Sequence, residues 1–207
     1  MRKLGATHLM EFGIRPYQST DLAAVSRICL GTGDSGRDAC SLYRDHDLLG
    51  LYYASPYVVF EPELCTLLTY QSKPCGYVLG THNSDVFSDR CEREWFPPLR
   101  QRYPLPADND HSLDANLVRL IHAGRPRFNY FRQYPAHLHL DLLPIAQGQG
   151  WGPKLMELFL SQLRAFKVPG VHLSVGRQND RGIRFYRRMD FQQIDEDDQS
   201  FVMARYL

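Results

Sequence analysis

Three glycines on alternate positions, Gly148, Gly150 and Gly152, lie in the run LDLLPIAQGQGWGPKLMELF, where an apolar stretch hands over to an amphipathic one. Glycine in the first turn of a helix costs about 1 kcal/mol per residue relative to alanine, so the pattern asks for a compensating use. A glycine-rich turn at a helix N-terminus exposes N–H groups that have no intrahelical partner. With the helix dipole added, such a turn is a site for phosphate. Tight turns and close helix packing select glycine too, and on these residues alone both readings stand. Two familiar phosphate loops do not fit. Gly152 is followed by Pro153 and Lys154, with no hydroxyl placed for magnesium, and the G-x-G-x-G spacing is not that of a dinucleotide fingerprint.

Titratable groups flank this loop on both sides. Upstream, strand-like alternation in HLHLDLL puts His137, His139 and Asp141 on one face and Leu138, Leu140 and Leu142 on the other. Histidine suits proton transfer near neutral pH; Asp141 could orient a histidine or act as the base itself. A solvated, hydrogen-bonded strand face is the alternative. Downstream, NDRGIRFYRRMDF reads as a helix with Asn179 placed to cap its start. This helix would bury one of Phe185 or Tyr186. An unperturbed phenol, with a pKa near ~10, would hold its proton and could donate it.

Taken together, these two segments resemble the signatures of the GCN5-related N-acetyltransferase family. LLPIAQGQGWG follows V-x-P-x-x-[QR]-x-x-G-x-[GA], with Leu142 in the valine place and Pro144, Gln147, Gly150 and Gly152 in register. NDRGIRFYRRMDF follows N-x-x-A-x-x-[FL]-Y-x-x-x-G-F through Asn179, Phe185, Tyr186 and Phe191. Gly182 replaces the usual alanine and Asp190 the usual glycine; aspartate tolerates left-handed backbone better than most residues. IRPYQSTDLAAVSRICLGTGDSGRDA and YVLGT are further similar to the acetyltransferase-like domain at the C-terminus of O-GlcNAcases and its free-standing bacterial relatives.

The resemblance implies acetyl-CoA as co-substrate and direct acetyl transfer to an amine, whether a protein lysine, a small amine or an aminosugar. It implies that Gln147, Gly148, Gln149, Gly150, Trp151 and Gly152 bind the coenzyme, with the N–H groups from Gln149 to Gly152 on the pyrophosphate. The pantetheine would lie beside Leu142 and Leu143, where the family's two central strands splay apart. Asn179 and Tyr186 would touch it, Tyr186 as general acid near the sulfur. His139 and Asp141 would supply the base. The animal domain, whose cofactor loop is degenerate, implies the alternative of a non-catalytic coenzyme-binding or interaction module; here the loop is intact.

The rest of the chain must position these groups. Its 207 residues, 43% hydrophobic with a formal net charge of +1, suit one α/β domain over 1–207 and give no basic stripe for nucleic acid. Strands alternating with helices argue for a mixed sheet, and the resemblance implies a mostly antiparallel one flanked by helices. FGIRPY reads as a first strand, and STDLAAVSRICL as a helix capped by Ser19 or Thr20. DHDLLGLYYASPYV reads as one short helix, and LCTLLTY-QSKP-CGYVLGTH as a hairpin with a four-residue turn. Residues 83–135 are aromatic, basic and proline-punctuated, and are read as a helical insertion.

No apolar run reaches the ~18 residues that span a bilayer, and MRKLGATHLMEFG does not read as a signal peptide. A cytoplasmic monomer or homodimer, without membrane partners, is expected. The five cysteines form no C-x-x-C pair and the eight histidines no H-E-x-x-H, so reduced thiols and no metal site are expected. Asp34, Asp38, Asp45 and Asp47 would make an acidic loop attractive to a cationic amine. Tyr52, Tyr53, Trp95, Tyr130 and Phe131 could form an aromatic wall for the acceptor.

Overall fold

The alternation in AHLHLDL and the apolar run in GVHLSVG become adjacent central strands of one sheet. A computed structural model describes residues 11–207; the basic start of the chain, and with it most of the segment weighed as a leader, lies outside the described residues. In chain order the strands are β1 (Phe12–Pro16), β2 (Thr66–Tyr70), β3 (Lys73–Thr81), β4 (Ala136–Leu142), β5 (Gly170–Gly176), β6 (Gln192–Glu196) and β7 (Ser200–Tyr206). The helices are α1 (Leu22–Leu30), α2 (Leu48–Tyr53), α3 (Ser55–Phe60), α4 (Ser84–Arg90), α5 (Phe96–Arg102), α6 (Leu113–Ala123), α7 (Trp151–Ala165) and α8 (Asp180–Arg188). The sheet runs β1-β2-β3-β4-β5-β7-β6, antiparallel throughout except between β4 and β5. This is the mixed, mostly antiparallel architecture expected.

Each face of the sheet carries its own core. On one side Leu67, Tyr77 and Leu79 pack with Val25 and Ile28 of α1, Leu48 and Tyr52 of α2, Phe87 of α4 and Ile121 of α6. On the other, Val78, Leu138 and Val171 pack with Leu155, Phe159 and Leu163 of α7 and with Ile183 and Tyr186 of α8. Full burial of such side chains stabilises by roughly 1.5–3 kcal/mol each. Among the described residues no helix is long and apolar enough to cross a membrane.

Three local expectations are corrected. Neither Ser19 nor Thr20 caps α1. A turn of 3-10 helix, Ser19–Asp21, precedes it, fixed by the Asp21 carboxylate, which accepts from Arg15 at 2.6 and 2.8 Å and from the Gln18 N–H at 2.9 Å. Charge-assisted bonds of that kind outweigh a serine cap. DHDLLGLYYASPYV forms two helices, not one. Pro56 has no N–H for the carbonyl of Tyr52, four residues back, and its ring would clash there; that carbonyl accepts instead from Arg125 Nη2 at 2.6 Å. The β2–β3 turn has two residues rather than four. Gln71 and Ser72 both take positive φ, 49° and 64°, which closes a tight hairpin. Pro74 is accommodated beside a bulge, beyond the last β4 partner at Gly76.

Residues 83–135 hold α4, a turn of π-helix over Cys91–Trp95, α5 and α6, with a 3-10 turn at Asn129–Arg132. Arg125 anchors this segment. Its guanidinium lies 5.2–5.4 Å from the ring centres of Tyr52, Tyr57 and Phe87. Trp95 donates its indole N–H to the Leu51 carbonyl at 2.8 Å.

Where β4 and β5 begin, His172 is buried and His137 half-buried, and both are held as neutral rings. His172, 7% exposed, donates Nδ1–H to the Tyr134 carbonyl at 2.7 Å, and burial pushes its pKa down to about 4. His137 is held well below the usual imidazole range by burial, and further by the nearby His172 and Arg125. An unfolded chain takes up protons near pH 6.5 that these rings refuse. Stability is therefore full above about pH 6.5 and falls as pH drops toward 4, by about 3 kcal/mol from His172 alone. Urea unfolding at pH 7.5, 6 and 5 should show that decline, and His172→Gln should flatten it.

Candidate active site

Among the described residues β4 and β5 are the only parallel pair of the sheet, and they stay together for two positions. Ala136 faces Val171 and His137 faces His172; beyond them no pairing is formed and the strands part. β4 remains zipped to β3 from Thr81–His137 to Gly76–Leu142, and β5 to β7 along its whole length. The edges of β4 and β5 that face each other thus carry main-chain donors and acceptors without sheet partners. Buried main-chain groups are nearly always paired, so this wedge suits an extended ligand bearing amides. The splay expected beside Leu142 is present.

The chain after β4 closes one end of the wedge. Pro144–Ala146 make a 3-10 turn, and Gly150 stands before α7 at φ 80°, with no side chain capping the helix and no acidic residue in its first turn. Gly148 has φ 76°. A Cβ on Gly150 would meet nothing within 4 Å, so this glycine serves backbone geometry and leaves its outer face open. Gly152 differs. A Cβ there would approach Phe185 to 3.2 Å, so its smallness brings α7 against α8. Turn geometry thus accounts for Gly148 and Gly150, and helix packing for Gly152.

The other loop residues divide by task. Gln147 spans the base of the loop, donating Nε2–H to the Leu142 carbonyl at 2.7 Å and the Gly36 carbonyl at 3.1 Å, while Arg181 donates to its Oε1 at 2.5 Å. That places a guanidinium beside Gly148. Leu143 donates its N–H to the Cys75 carbonyl at 2.9 Å. The Leu142 carbonyl is thus engaged by Gln147 and the Leu143 N–H is turned to the β3 side, so the open edge of β4 lies nearer its middle. Gln149 bonds back to the Ile145 carbonyl. Trp151 rests on Phe12, ring centres 5.1 Å apart, with Lys154 Nζ 4.2 Å above the indole. Asn179 caps α8, its Oδ1 accepting from the Gly182 N–H at 2.8 Å. Gly182 leaves room for that cap, since a Cβ there would come within 2.8–3.0 Å of the Asn179 side chain. Asp190 takes the left-handed conformation, φ 62°, as its place in the motif requires.

Tyr186 projects from α8 into the core that contains Leu138, Leu140 and Val175. Its ring is buried, and among the described residues its hydroxyl has no hydrogen-bond partner. Burial, and then the charge of Asp141, push its pKa well above the ordinary phenol value. It keeps its proton at every physiological pH.

On the opposite face of β4 the alternation is realised as expected, and it separates the two histidines. His137 is closed in, with Nδ1 2.6 Å from Ser84 Oγ and Nε2 2.7 Å from the Tyr57 hydroxyl. His139 and Asp141 belong to a more open cluster. Tyr77 donates to Asp141 Oδ2 at 2.6 Å, and His139 Nδ1 lies 3.2 Å from the same hydroxyl. His139 Nε2 is 3.5 Å from Asp141 Oδ2, and Tyr53 stacks over the imidazole at 6.2 Å. Ligand atoms of Cys29, His139 and Asp141 lie within 4.8 Å of one another; Tyr77 already hydrogen-bonds two of the three.

Tyr77 and Cys29 are the residues that sequence reading missed. A tyrosine in CGYVLGT looks like core; its partnership with Asp141 follows only from the β3–β4 register, which sets the two opposite each other. The proposed acceptor features fare differently. Asp34 pairs with Arg37 at 3.0 Å, Asp47 lies 3.5 Å from Arg102, and Asp45 accepts from Tyr103 at 2.9 Å. Asp38 accepts from the Cys40 N–H. Those carboxylates tie the loop to itself and to the end of α5. The five aromatics make no common wall: Tyr52 and Trp95 pack into the helical core, and Tyr130 and Phe131 pack on His172. Tyr53 alone of the five lies against His139.

Comparison with known proteins yields one family. The model of the acetyltransferase (GNAT) family matches residues 38–191. Protein O-GlcNAcase of Rattus norvegicus is 24% identical over 181 residues, covering 86% of this chain and 20% of its own length; that of Mus musculus matches equally. The chain spans about a fifth of the length of these curated relatives. The crystal structure of SsHAT superposes with a TM-score of 0.88 at 38% identity, over 95% of this chain and 98% of that one. The PaiA N-acetyltransferase from Thermoplasma acidophilum, solved in complex with coenzyme A, shares the fold at a TM-score of 0.60 and 14% identity, over 96% of this chain and 100% of that one.

Gly150 tests the backbone account of the loop. Alanine there should lower stability by about 1–2 kcal/mol through its left-handed φ alone, since space is open. Asparagine should recover part of the loss. Urea midpoints of the three proteins would show that ranking.

Proposed function

Because the chain belongs to the acetyltransferase (GNAT) family, we propose that it transfers acetyl from acetyl-CoA directly to a primary amine. One observation carries this reading above the others. The parallel strand pair β4–β5 parts after two positions, and the wedge ends at a glycine turn that opens a helix. A pantetheine arm supplies the amides for such a wedge, and a diphosphate suits such a turn. Coenzyme A joins both in one molecule. That the PaiA relative was solved with coenzyme A supports the same assignment.

The residues then take these roles. Main-chain N–H groups from Gln149 to Gly152 hold the diphosphate, with Arg181 adding positive charge beside Gly148. Gln147 and Trp151 brace the loop, and Leu142 and Leu143 border the arm. Asn179 fixes the start of α8 and so the reach of Tyr186. The neutral amine nitrogen attacks the thioester carbon, and on the acceptor side His139 and Asp141 take a proton from that nitrogen as it becomes cationic. The C–S bond then breaks, and the departing sulfur receives the Tyr186 proton. An amide and free coenzyme A result, with Tyr186 recovering its proton from solvent. A positioned acid or base of this kind is worth typically 10²–10⁴-fold.

The acceptor is a neutral amine that reaches Tyr53 and His139 from the side opposite α8. Calorimetric titration with acetyl-CoA, followed by thiol release with lysine peptides, small amines and aminosugars, tests the proposal. Binding with amine-dependent release is expected; binding without release for any amine would indicate a non-catalytic coenzyme-binding module. Tyr186→Phe should lower kcat at least tenfold while leaving acetyl-CoA affinity within about twofold. An unchanged kcat would remove Tyr186 from the acid role.

A further inference from the structure

Three elements bring four polar side chains to one point behind the wedge. Tyr77 of β3 lies opposite Asp141 of β4, and His139 stands two residues back on the same face; α1 adds Cys29. The hydroxyl of Tyr77 is the hub, 2.6 Å from Asp141 Oδ2 and 3.2 Å from His139 Nδ1. A phenol has one proton to give, and a carboxylate can only accept. The short contact therefore commits the Tyr77 proton to Asp141. What Tyr77 has left for His139 is oxygen lone pairs, so Nδ1 must carry a hydrogen and donate it. In a neutral imidazole the other nitrogen, Nε2, is then the bare one.

We propose that Tyr77 is a positioning residue that sets the tautomer of His139, fixing the proton on Nδ1 and leaving Nε2 free to accept a proton from the acceptor amine. The inference rests on the reading of His139 and Asp141 as the basic side of the site. It gives the three groups separate tasks. Tyr77 orients the ring and holds Asp141. His139 Nε2 takes the proton. Asp141 Oδ2, 3.5 Å from Nε2, stabilises the imidazolium once formed. Tyr53, stacked on the ring, limits its rotation. Burial keeps Tyr77 a phenol, and the carboxylate beside it reinforces this, so the hub does not change its own proton count in the working range.

Removal of the hydroxyl has a specific consequence. In Tyr77→Phe, Nδ1–H loses its acceptor and Asp141 loses its donor. The nearest remaining acceptor for an imidazole hydrogen is Asp141 Oδ2 beside Nε2. The proton should move to Nε2, and the base is then occupied.

Nitrogen-15 spectra of the histidine-labelled protein at pH 8 would read the tautomer directly, with no coenzyme or amine present. In the unaltered chain His139 should show a pyrrole-type Nδ1 and a pyridine-type Nε2; in Tyr77→Phe the two should exchange character. His139→Gln identifies the resonances. In parallel, kcat for the best amine should fall tenfold or more in Tyr77→Phe, with KM for acetyl-CoA unchanged. A pyridine-type Nδ1 in the unaltered protein, or an unchanged tautomer in Tyr77→Phe, would overturn the proposal. So would an exchanged tautomer with an unchanged kcat. If the unaltered protein acetylates no amine, the functional reading fails while the spectra still decide the tautomer; a variant that misfolds would lose the shifts of His172 too, and Tyr77→Leu then replaces it.

Discussion

Two strands that should be neighbours along their whole length are neighbours for two residues, and the site is built on that parting. Main-chain hydrogen bonding is close to obligatory in a folded interior, so an open edge in the middle of a sheet persists only if its surroundings hold it open. Here β4 is kept in place by its six-position register with β3, and β5 by its seven-position register with β7. Each half of the sheet is complete without the other. The wedge between them is left to whatever ligand can match its donors and acceptors.

From that division the remaining parts follow. The two faces of the sheet have separate cores, so α7 and α8 answer to one face and the helices from α1 to α6 to the other. The glycine turn and Tyr186 come from the first group. His139, Asp141 and Tyr53 face the second. A thioester held in the wedge would be reached from α8 by a proton donor and from the opposite side by an amine and its base. Gly152 contributes by bringing α7 against Phe185, which sets how near α8 can lie to the wedge. The helical segment between β3 and β4 is tied to α2 through Arg125, which satisfies the carbonyl that Pro56 leaves without a helical partner.

Much of this was legible in the residue order because it depends on local chemistry. Positive φ at Gly148 and Gly150 leaves glycine as its mark, and the left-handed turn at Asp190 leaves a residue that tolerates it. Period-two alternation reported which residues of β4 share a face. Tertiary relations left no such mark. Tyr77 joins the cluster through strand register, and Cys29 through the packing of α1. The aspartates of the first loop looked like an attractant for cations because their partners, Arg37 and Arg102, are revealed only in the fold. The break between α2 and α3 was readable from Pro56, yet the apolar run around it suggested one helix. Aromatic residues spread over eighty positions cannot be assigned to one wall by type alone.

The central claim is that unpartnered main-chain groups of the glycine turn hold a diphosphate. The amide resonances of Gly148, Gly150 and Gly152 measure it most directly. Titration with coenzyme A should shift all three and slow their exchange with solvent, whereas pantetheine, which lacks the phosphates, should move strand amides of β4 and leave the turn unchanged. If coenzyme A binds while those three amides stay where they were, the turn is a structural joint and the account of the site is wrong.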